Sequence, residues 1–158
     1  VPDSLPAGRI SLLGPSLPGD VALETVVVIT NADFVGSSRV ALLYAHASES
    51  GPAEALSCSL RNTDASRVQP IEILGGSPVF DQTTPTIGSL AYSVPVTVKL
   101  RAWHDGSRAA DSLQCEVDGV VDPFDSGQAF GGTRIGVGVL RIELTFEYLV
   151  AYTLGGPP

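Results

Sequence analysis

The side chains that could do chemistry in this chain are two histidines, an acidic segment and two cysteines. His46 ends an alternating segment, and His104 begins a turn that contains an Asp-Gly pair. A general base has to lie beside the nucleophile that it activates. Because neither histidine belongs to a recognised catalytic motif, we interpret both as strand-end or turn residues. The sequence therefore predicts no catalytic site, no enzyme activity and no cofactor.

The acidic segment contains three carboxylates, Asp118, Asp122 and Asp125. Calcium takes about six to eight oxygen ligands, which carboxylates supply well. The spacing differs from that of the helix-flanked calcium loop, and Asp and Gly are also ordinary turn residues. We predict no metal site and keep a calcium loop at these three residues as the alternative.

Cys58 and Cys115 both alternate with aliphatic neighbours, so both side chains are predicted to point into a core. Two alternatives remain open. The cysteines could form a disulfide between strands, or they could be two buried free thiols, a state that is common for cysteine. Neither belongs to a Cys-x-x-Cys metal or redox motif.

Aromatic residues are dispersed along the chain and define no sugar-stacking platform in the sequence; they include Tyr44, Tyr92, Trp103, Tyr148 and Tyr152. By alternation, Trp103 lies on the same face of its strand as the polar side chains. It could anchor a partner, since tryptophan is frequent at binding hot spots, or fold onto its own sheet. Together with Ile10 and Leu12 near the amino end, Trp103 is a predicted assembly contact.

Strands must position these residues, because period-two alternation dominates the chain. The longest example runs from Gly138 to Tyr152, with aliphatic and aromatic residues at alternate positions. We predict one principal strand there and about eight strands in all, without a helix of convincing length. The predicted strands are Val21–Thr30, Arg39–His46, Ala55–Leu60, Val68–Leu74, Ile87–Ser93, Val94–Trp103, Ser112–Asp118 and Gly138–Tyr152.

The predicted fold is all-β, a two-sheet antiparallel sandwich of jelly-roll or Greek-key type. Residues 1–19 contain four prolines and are predicted to be an extended arm. Within the arm, residues 9–12 alternate briefly and could pair with a sheet edge. Residues 20–154 form the sandwich domain, and residues 155–158 form a carboxyl-terminal tail.

Composition limits the partners. The chain has a net charge of −8 and a single lysine, so it lacks the clustered positive charge that nucleic-acid phosphates require. No apolar run approaches the length of a membrane span. The charged share is only 16%, which predicts surplus apolar surface covered by copies of the same chain in a homo-oligomeric shell or filament.

The segment Thr133–Val150 resembles the closing strand of jelly-roll coat proteins from small icosahedral plant-type RNA viruses, with a Gly-rich approach and then an alternating strand. The Pro-rich arm and the strand number agree with that family. The resemblance implies a capsid or capsid-decoration subunit in a virion, with quasi-equivalent contacts and with other capsid proteins as further partners. It carries over no functional residue, and the basic arm of such proteins is not seen.

Two other functions stay open. One is a secreted fibre or pilus-like subunit, extracellular or at the cell surface, in which residues 9–13 add a strand to a neighbour and Cys58 is bridged to Cys115. The other is a carbohydrate-binding or other ligand-binding sandwich with its site in loops 104–111 and 119–132. The self-assembling subunit is the main prediction.

Overall fold

A computed structural model describes residues 10–31, 40–48, 54–61, 67–80, 93–140 and 143–155. Within these ranges the chain forms eleven strands and no helix, and so no helix able to span a membrane. The strands are β1 (Ile10–Ser16), β2 (Val21–Asn31), β3 (Val40–Ala47), β4 (Glu54–Arg61), β5 (Arg67–Leu74), β6 (Ser77–Phe80), β7 (Val96–Asp105), β8 (Ala110–Val117), β9 (Val120–Asp125), β10 (Arg134–Leu140) and β11 (Glu143–Thr153).

The strands form two antiparallel sheets. The six-stranded sheet has the order β1-β10-β3-β4-β5-β6, and the five-stranded sheet has the order β11-β2-β7-β8-β9. Several neighbours in space are far apart in sequence, so the chain crosses repeatedly between the sheets, as in a jelly roll. The predicted all-β, two-sheet sandwich is confirmed.

The core lies between the sheets and follows the alternation of the strands. In β7, Val98 and Leu100 are fully buried, whereas Lys99 between them is half-buried on the other face. β-branched and aliphatic residues suit this pleated surface. We call the face of each sheet that points away from this core its outer face.

A disulfide joins the two sheets through the core. Cys58 in β4 and Cys115 in β8 are bonded, with their Cα atoms 5.7 Å apart, and both are fully buried. The bridge closes a sequence separation of 57 residues. It ties an inner strand of one layer to an inner strand of the other.

The prediction of one long strand from Gly138 to Tyr152 is wrong. β10 ends at Leu140 in the six-stranded sheet, and β11 starts at Glu143 in the five-stranded sheet. The core-facing residues have odd numbers in β10 (Ile135, Val137 and Val139) and even numbers at the start of β11 (Leu144 and Phe146), so the phase of burial changes at the crossing. The apolar residues Leu140 and Ile142 continue the even-numbered alternation back through the sequence and hide this change. Periodicity therefore cannot distinguish one long strand from two strands in facing sheets.

A bulge in β11 changes which side chains reach the core. The register with β2 shifts between Phe146 and Tyr148, which leaves Glu147 as the extra residue. Phe146 packs against the core, but Tyr148 and Val150 point outward. The Thr25 hydroxyl donates to the Tyr148 carbonyl and secures the bulge.

Other predicted boundaries also move. β1 lies inside the predicted arm, but its backbone pairs with β10, so residues 10–16 belong to the sandwich itself. The predicted count of about eight strands missed β6 and β9, which are short and contain a proline. The predicted strand Ile87–Ser93 lies outside the described residues except for Ser93, which is in a turn.

Candidate functional site

The two outer faces differ in accessibility. On the six-stranded sheet the outer-face residues Tyr44, Ser57, Ser59 and Ile71 are fully buried. On the five-stranded sheet the outer face carries Tyr148 and other large side chains that are 40–50% exposed. Among the described residues, the outer face of the five-stranded sheet is therefore the open sheet surface on which a ligand can bind.

Three aromatic residues that are scattered in the sequence share this outer face. Tyr148 and Tyr152 lie on β11, and Trp103 lies on β7 with its side chain half-buried. Tyr152 pairs with Ala22, which pairs with Arg101, so β11 and β7 are two strand spacings apart, or roughly 10 Å. The three residues are dispersed in the sequence, but they share one face because β11, β2 and β7 are adjacent in the sheet. That the aromatic residues define no sugar-stacking platform stays a prediction.

A row of charges crosses the same face. The Lys99 ammonium lies 3.8 Å from the Glu24 carboxylate and 3.3 Å from the Glu116 carboxylate. The hydrogen bond with Glu116 and the charges of both glutamates raise the Lys99 pKa. Tyr148 donates to Glu24 at 3.1 Å. Partial desolvation is the larger cause that raises the Tyr148 pKa, and the hydrogen bond with Glu24 is the second. The row is thus internally paired.

A second network holds the turn between β7 and β8. Arg108 donates to Asp105 at 2.6 Å and to Asp125 at 2.8 Å, and it also donates to the Ser112 hydroxyl. Hydrogen bonds lower the Asp105 pKa to about 2, and the bond from Ser107 contributes more than the bond from Arg108. The bond to Asp105 raises the Arg108 pKa. The guanidinium is therefore fixed in position at the end of the sheet.

Trp103 lies beside this network. Ser112 is directly opposite Trp103 in the β7–β8 pair, and side chains in such positions are in contact range. We call the set Trp103, Arg108, Ser112, Gln114 and Asp125 the Trp103 patch. It combines one large aromatic ring with a guanidinium, a carboxylate, an amide and a hydroxyl.

Next to the patch in β8, a buried carboxylate connects both histidines. Asp111 is 2% exposed and accepts from His46 Nδ1 at 2.9 Å, from His104 Nδ1 at 2.8 Å and from the Phe130 backbone N–H at 2.9 Å. Burial opposes ionisation of Asp111, but the bonds from His46 and His104 outweigh it and lower its pKa. The cluster joins β3 of one sheet to β7 and β8 of the other.

His46 is held on both sides. Its Nε2 faces the Gly19 carbonyl oxygen at 3.1 Å while its Nδ1 faces Asp111. Both neighbours are hydrogen-bond acceptors, and together they hold the ring in place. His46 also has a φ of 51°, which ends the alternation of β3 at this point.

Part of this cluster could be predicted from the sequence. By alternation, Asp111 lies on the same face of its strand as Leu113 and Cys115, and a carboxylate on this apolar face needs a partner. A tight turn between β7 and β8 brings His104 opposite Asp111, as the structure shows. His46 is 65 residues from Asp111, and no local signal connects them. These bonds join the two sheets, which is a structural role. That the chain is not an enzyme stays a prediction.

The acidic segment forms a turn and a strand. Asp118 lies in the turn and accepts from the Thr97 backbone N–H at 3.1 Å. Asp122 is buried on the core side of β9, whereas Asp125 is exposed on the opposite side. The three carboxylates do not converge, and no group of His, Cys, Asp or Glu that could hold a metal ion occurs in the described ranges.

The predicted assembly contacts are placed apart. Ile10 and Leu12 pair with Val139 and Val137 through the backbone of β1, and their side chains lie outside the description. Trp103 lies in the middle of the other sheet. The predicted ligand loops, in contrast, do meet, because the Asp111 N–H donates to the Gln128 carbonyl and the Ser126 N–H to the Asp111 carbonyl.

Comparison with known proteins identifies the fold. No protein-family model matches the chain, and no curated protein matches it. Among solved structures, it is similar to the carbohydrate-binding module CBM66 from Bacillus subtilis, with a TM-score of 0.69, 11% identity, and 92% of this chain and 83% of that one covered.

Two other similar structures are sheep galectin-11 in complex with glycerol and the carbohydrate recognition domain of Emp47p. The first has a TM-score of 0.59 and 12% identity over 94% of this chain and 100% of that one. The second has a TM-score of 0.58 and 15% identity over 92% of this chain and 78% of that one. At these identities the likeness establishes the sandwich fold.

Proposed function

We propose that this chain is a carbohydrate-binding β-sandwich module that binds an uncharged glycan at the Trp103 patch. The observation that carries the proposal is the placement of Trp103, on an open sheet face, beside the ordered Arg108, Ser112 and Asp125. Several proteins of the same fold are described as carbohydrate-binding or carbohydrate-recognition domains, which supports this function over a capsid role.

The chemistry of the patch suits a sugar. A pyranose ring has an apolar face of C–H groups, which packs on an aromatic ring, and an equatorial belt of hydroxyls, which needs planar donors and acceptors. Asp125 is an acceptor with a side chain that is 71% exposed, and Gln114 supplies both functions. The ion pair with Arg108 orients the carboxylate before a ligand arrives, which lowers the entropic cost of binding.

Charge favours an uncharged ligand. The chain has a net charge of −8, and Lys99 and Arg108 are both already paired with carboxylates. An acidic polysaccharide would be repelled by this field. We therefore place neutral polysaccharides first among the candidate ligands.

The disulfide supports an extracellular or cell-surface location. Such bridges persist in oxidising compartments and are rare in the cytosol, and Cys58–Cys115 is bonded here. A glycan-binding module would meet its ligand in the same setting. A location in a virion has no comparable support.

The proposal is tested by measuring the affinity of the chain for a panel of soluble neutral and acidic polysaccharides. We expect wild type to bind at least one neutral glycan, and Trp103→Ala to weaken that binding at least about tenfold, as for a hot-spot aromatic. Val79→Ala is the control, because Val79 is 45% exposed on β6 of the other sheet. A wild type that binds nothing, or a Trp103→Ala variant that binds equally well, would refute the proposal.

The role of a capsid or decoration subunit stays a prediction, as does the fibre subunit. Both require self-assembly, and particles or filaments in images of the purified protein would support them. A β-sandwich is compatible with either role, since one fold hosts many functions.

A further inference from the structure

The two sheets end in four outermost strands among the described residues: β1 and β6 in the six-stranded sheet, and β9 and β11 in the five-stranded sheet. An outermost strand presents backbone N–H and C=O groups that can pair with a strand of another molecule. Stable monomers protect such edges with short strands, prolines, bulges or charges.

Three of the four edges are protected. β1 has seven residues and contains Pro15, β6 has four and contains Pro78, and β9 has six and contains Pro123. Proline has no N–H to offer and interrupts a ladder. In β1 the register with its neighbour also shifts near Pro15.

β11 has a bulge at Glu147, but the six residues beyond it, 148–153, contain no proline, bulge or charge. It has eleven residues, with neither proline nor glycine. Its carboxyl-terminal half is apolar and accessible: Tyr148 is 40% exposed, Leu149 40%, Val150 50% and Tyr152 47%. Its two glutamates, Glu143 and Glu147, lie in the other half and do not interrupt this run.

We infer that β11 is a dimerisation edge, which pairs antiparallel with β11 of a second copy of this chain about a twofold axis at Val150. In this register Tyr148 of each copy lies opposite Tyr152 of the other, and Val150 lies opposite itself. Leu149 lies opposite Ala151. Aromatic and β-branched pairs of this kind are the favourable cross-strand pairs of a sheet.

Charge excludes registers centred on Thr145 or Glu147. With the axis at Val150, Glu147 faces the uncharged Thr153. An axis at Thr145 would place Glu143 opposite Glu147, and an axis at Glu147 would oppose two copies of that residue. Like charges directly opposite each other destabilise a strand pair. The half of β11 beyond the bulge contains no charged residue, so it pairs with its own copy without such a clash.

The interface is small, so the dimer should be weak. Pairing over residues 147–153 buries less than the roughly 1,200 Å² at which stable interfaces begin. We expect a dissociation constant on the order of 10–100 µM.

A twofold axis perpendicular to the sheet joins the two five-stranded sheets into one continuous sheet and leaves both Trp103 patches on the same side. If the proposed function holds, the dimer is bivalent.

Sedimentation velocity over a concentration series tests the inference. Wild type should shift from monomer to dimer as the concentration rises to about 1 mM, since that range spans the expected constant. Val150→Lys brings two lysines together at the axis and should remain monomeric. Val121→Lys is the matched control, because Val121 is 46% exposed on β9, the proline-containing edge of the same sheet, and it should dimerise like wild type.

A second variant guards against a misfolded Val150→Lys protein. In Val150→Cys the new thiols face each other at the axis, and mild oxidation should give a covalent dimer on a non-reducing gel, whereas Val121→Cys should not. A wild type that is monomeric at all concentrations, or equal crosslinking of both variants, would overturn the inference. Glycan affinity per monomer is expected to be unchanged in Val150→Lys, so the two proposals fail separately.

Discussion

Asp111 is a carboxylate that lies almost entirely out of contact with water. It is buried and charged, and it accepts three hydrogen bonds from His46, His104 and the Phe130 backbone. A buried charge is tolerated only when partners replace its lost hydration. The cluster therefore stabilises one end of the sandwich as long as the carboxylate is ionised and the partners remain in place.

We expect Asp111→Asn to lower the free energy of unfolding by about 3 kcal/mol at pH 7, because the substitution replaces a buried carboxylate that accepts three hydrogen bonds with an amide, whose NH2 group cannot accept. Urea unfolding measures this difference. Asp125→Asn is the control and should cost less than about 1 kcal/mol, since that side chain is 71% exposed.

The same residue gives a pH dependence. The folded-state pKa of Asp111 lies below its ordinary value, so its contribution is full above the unfolded-state pKa of about 4 and is lost as the pH falls through the folded-state value. The stability difference between wild type and Asp111→Asn should therefore shrink in a urea series from pH 6 to about pH 2. A constant difference across that range would rule out this account.

Gly132 and Gly131 make a matched pair. A Cβ at Gly132 would overlap the backbone carbonyls of His46 and Ala47, whereas a Cβ at Gly131 would meet nothing within 4 Å. We expect Gly132→Ala to cost about 1–3 kcal/mol through displacement of β3. Gly131→Ala should change the unfolding free energy by less than about 0.5 kcal/mol. Equal effects would contradict the close packing of these segments.

At the scale of elements, the disulfide between β4 and β8 is the strongest single constraint. Cross-linking a separation of 57 residues stabilises a fold by about 4 kcal/mol in the chain-entropy account. We expect the double variant Cys58→Ala/Cys115→Ala to lose about that amount in guanidinium unfolding. A reducing agent should destabilise wild type similarly and leave the double variant unchanged. If the reductant has no effect on wild type, the bridge is absent.

Local patterns predicted much of the strand content and little of its arrangement. The alternation of Val98, Leu100 and Ala102 fixed β7 and its buried face, because that signal depends only on neighbouring residues. The sheet change after Leu140 and the bulge at Glu147 were not predictable in this way. Both depend on contacts with β3 and β2, strands that are distant in the chain.

At the scale of the molecule, topology assembles the candidate site. Trp103, Ser112 and Asp125 come from three strands and lie side by side on one face because β7, β8 and β9 are adjacent. The low charged share of 16% indicated surplus apolar surface, and the structure locates part of it on β11. A glycan patch and a pairing edge thus occupy one sheet without overlapping.

The most direct test of the central claim uses the single tryptophan of the chain. Because Trp103 is the only source of indole fluorescence, a neutral glycan that stacks on it should change the emission intensity or wavelength saturably, with the same midpoint as calorimetric binding. Binding of a glycan without any change in this emission would contradict the placement of the site at Trp103.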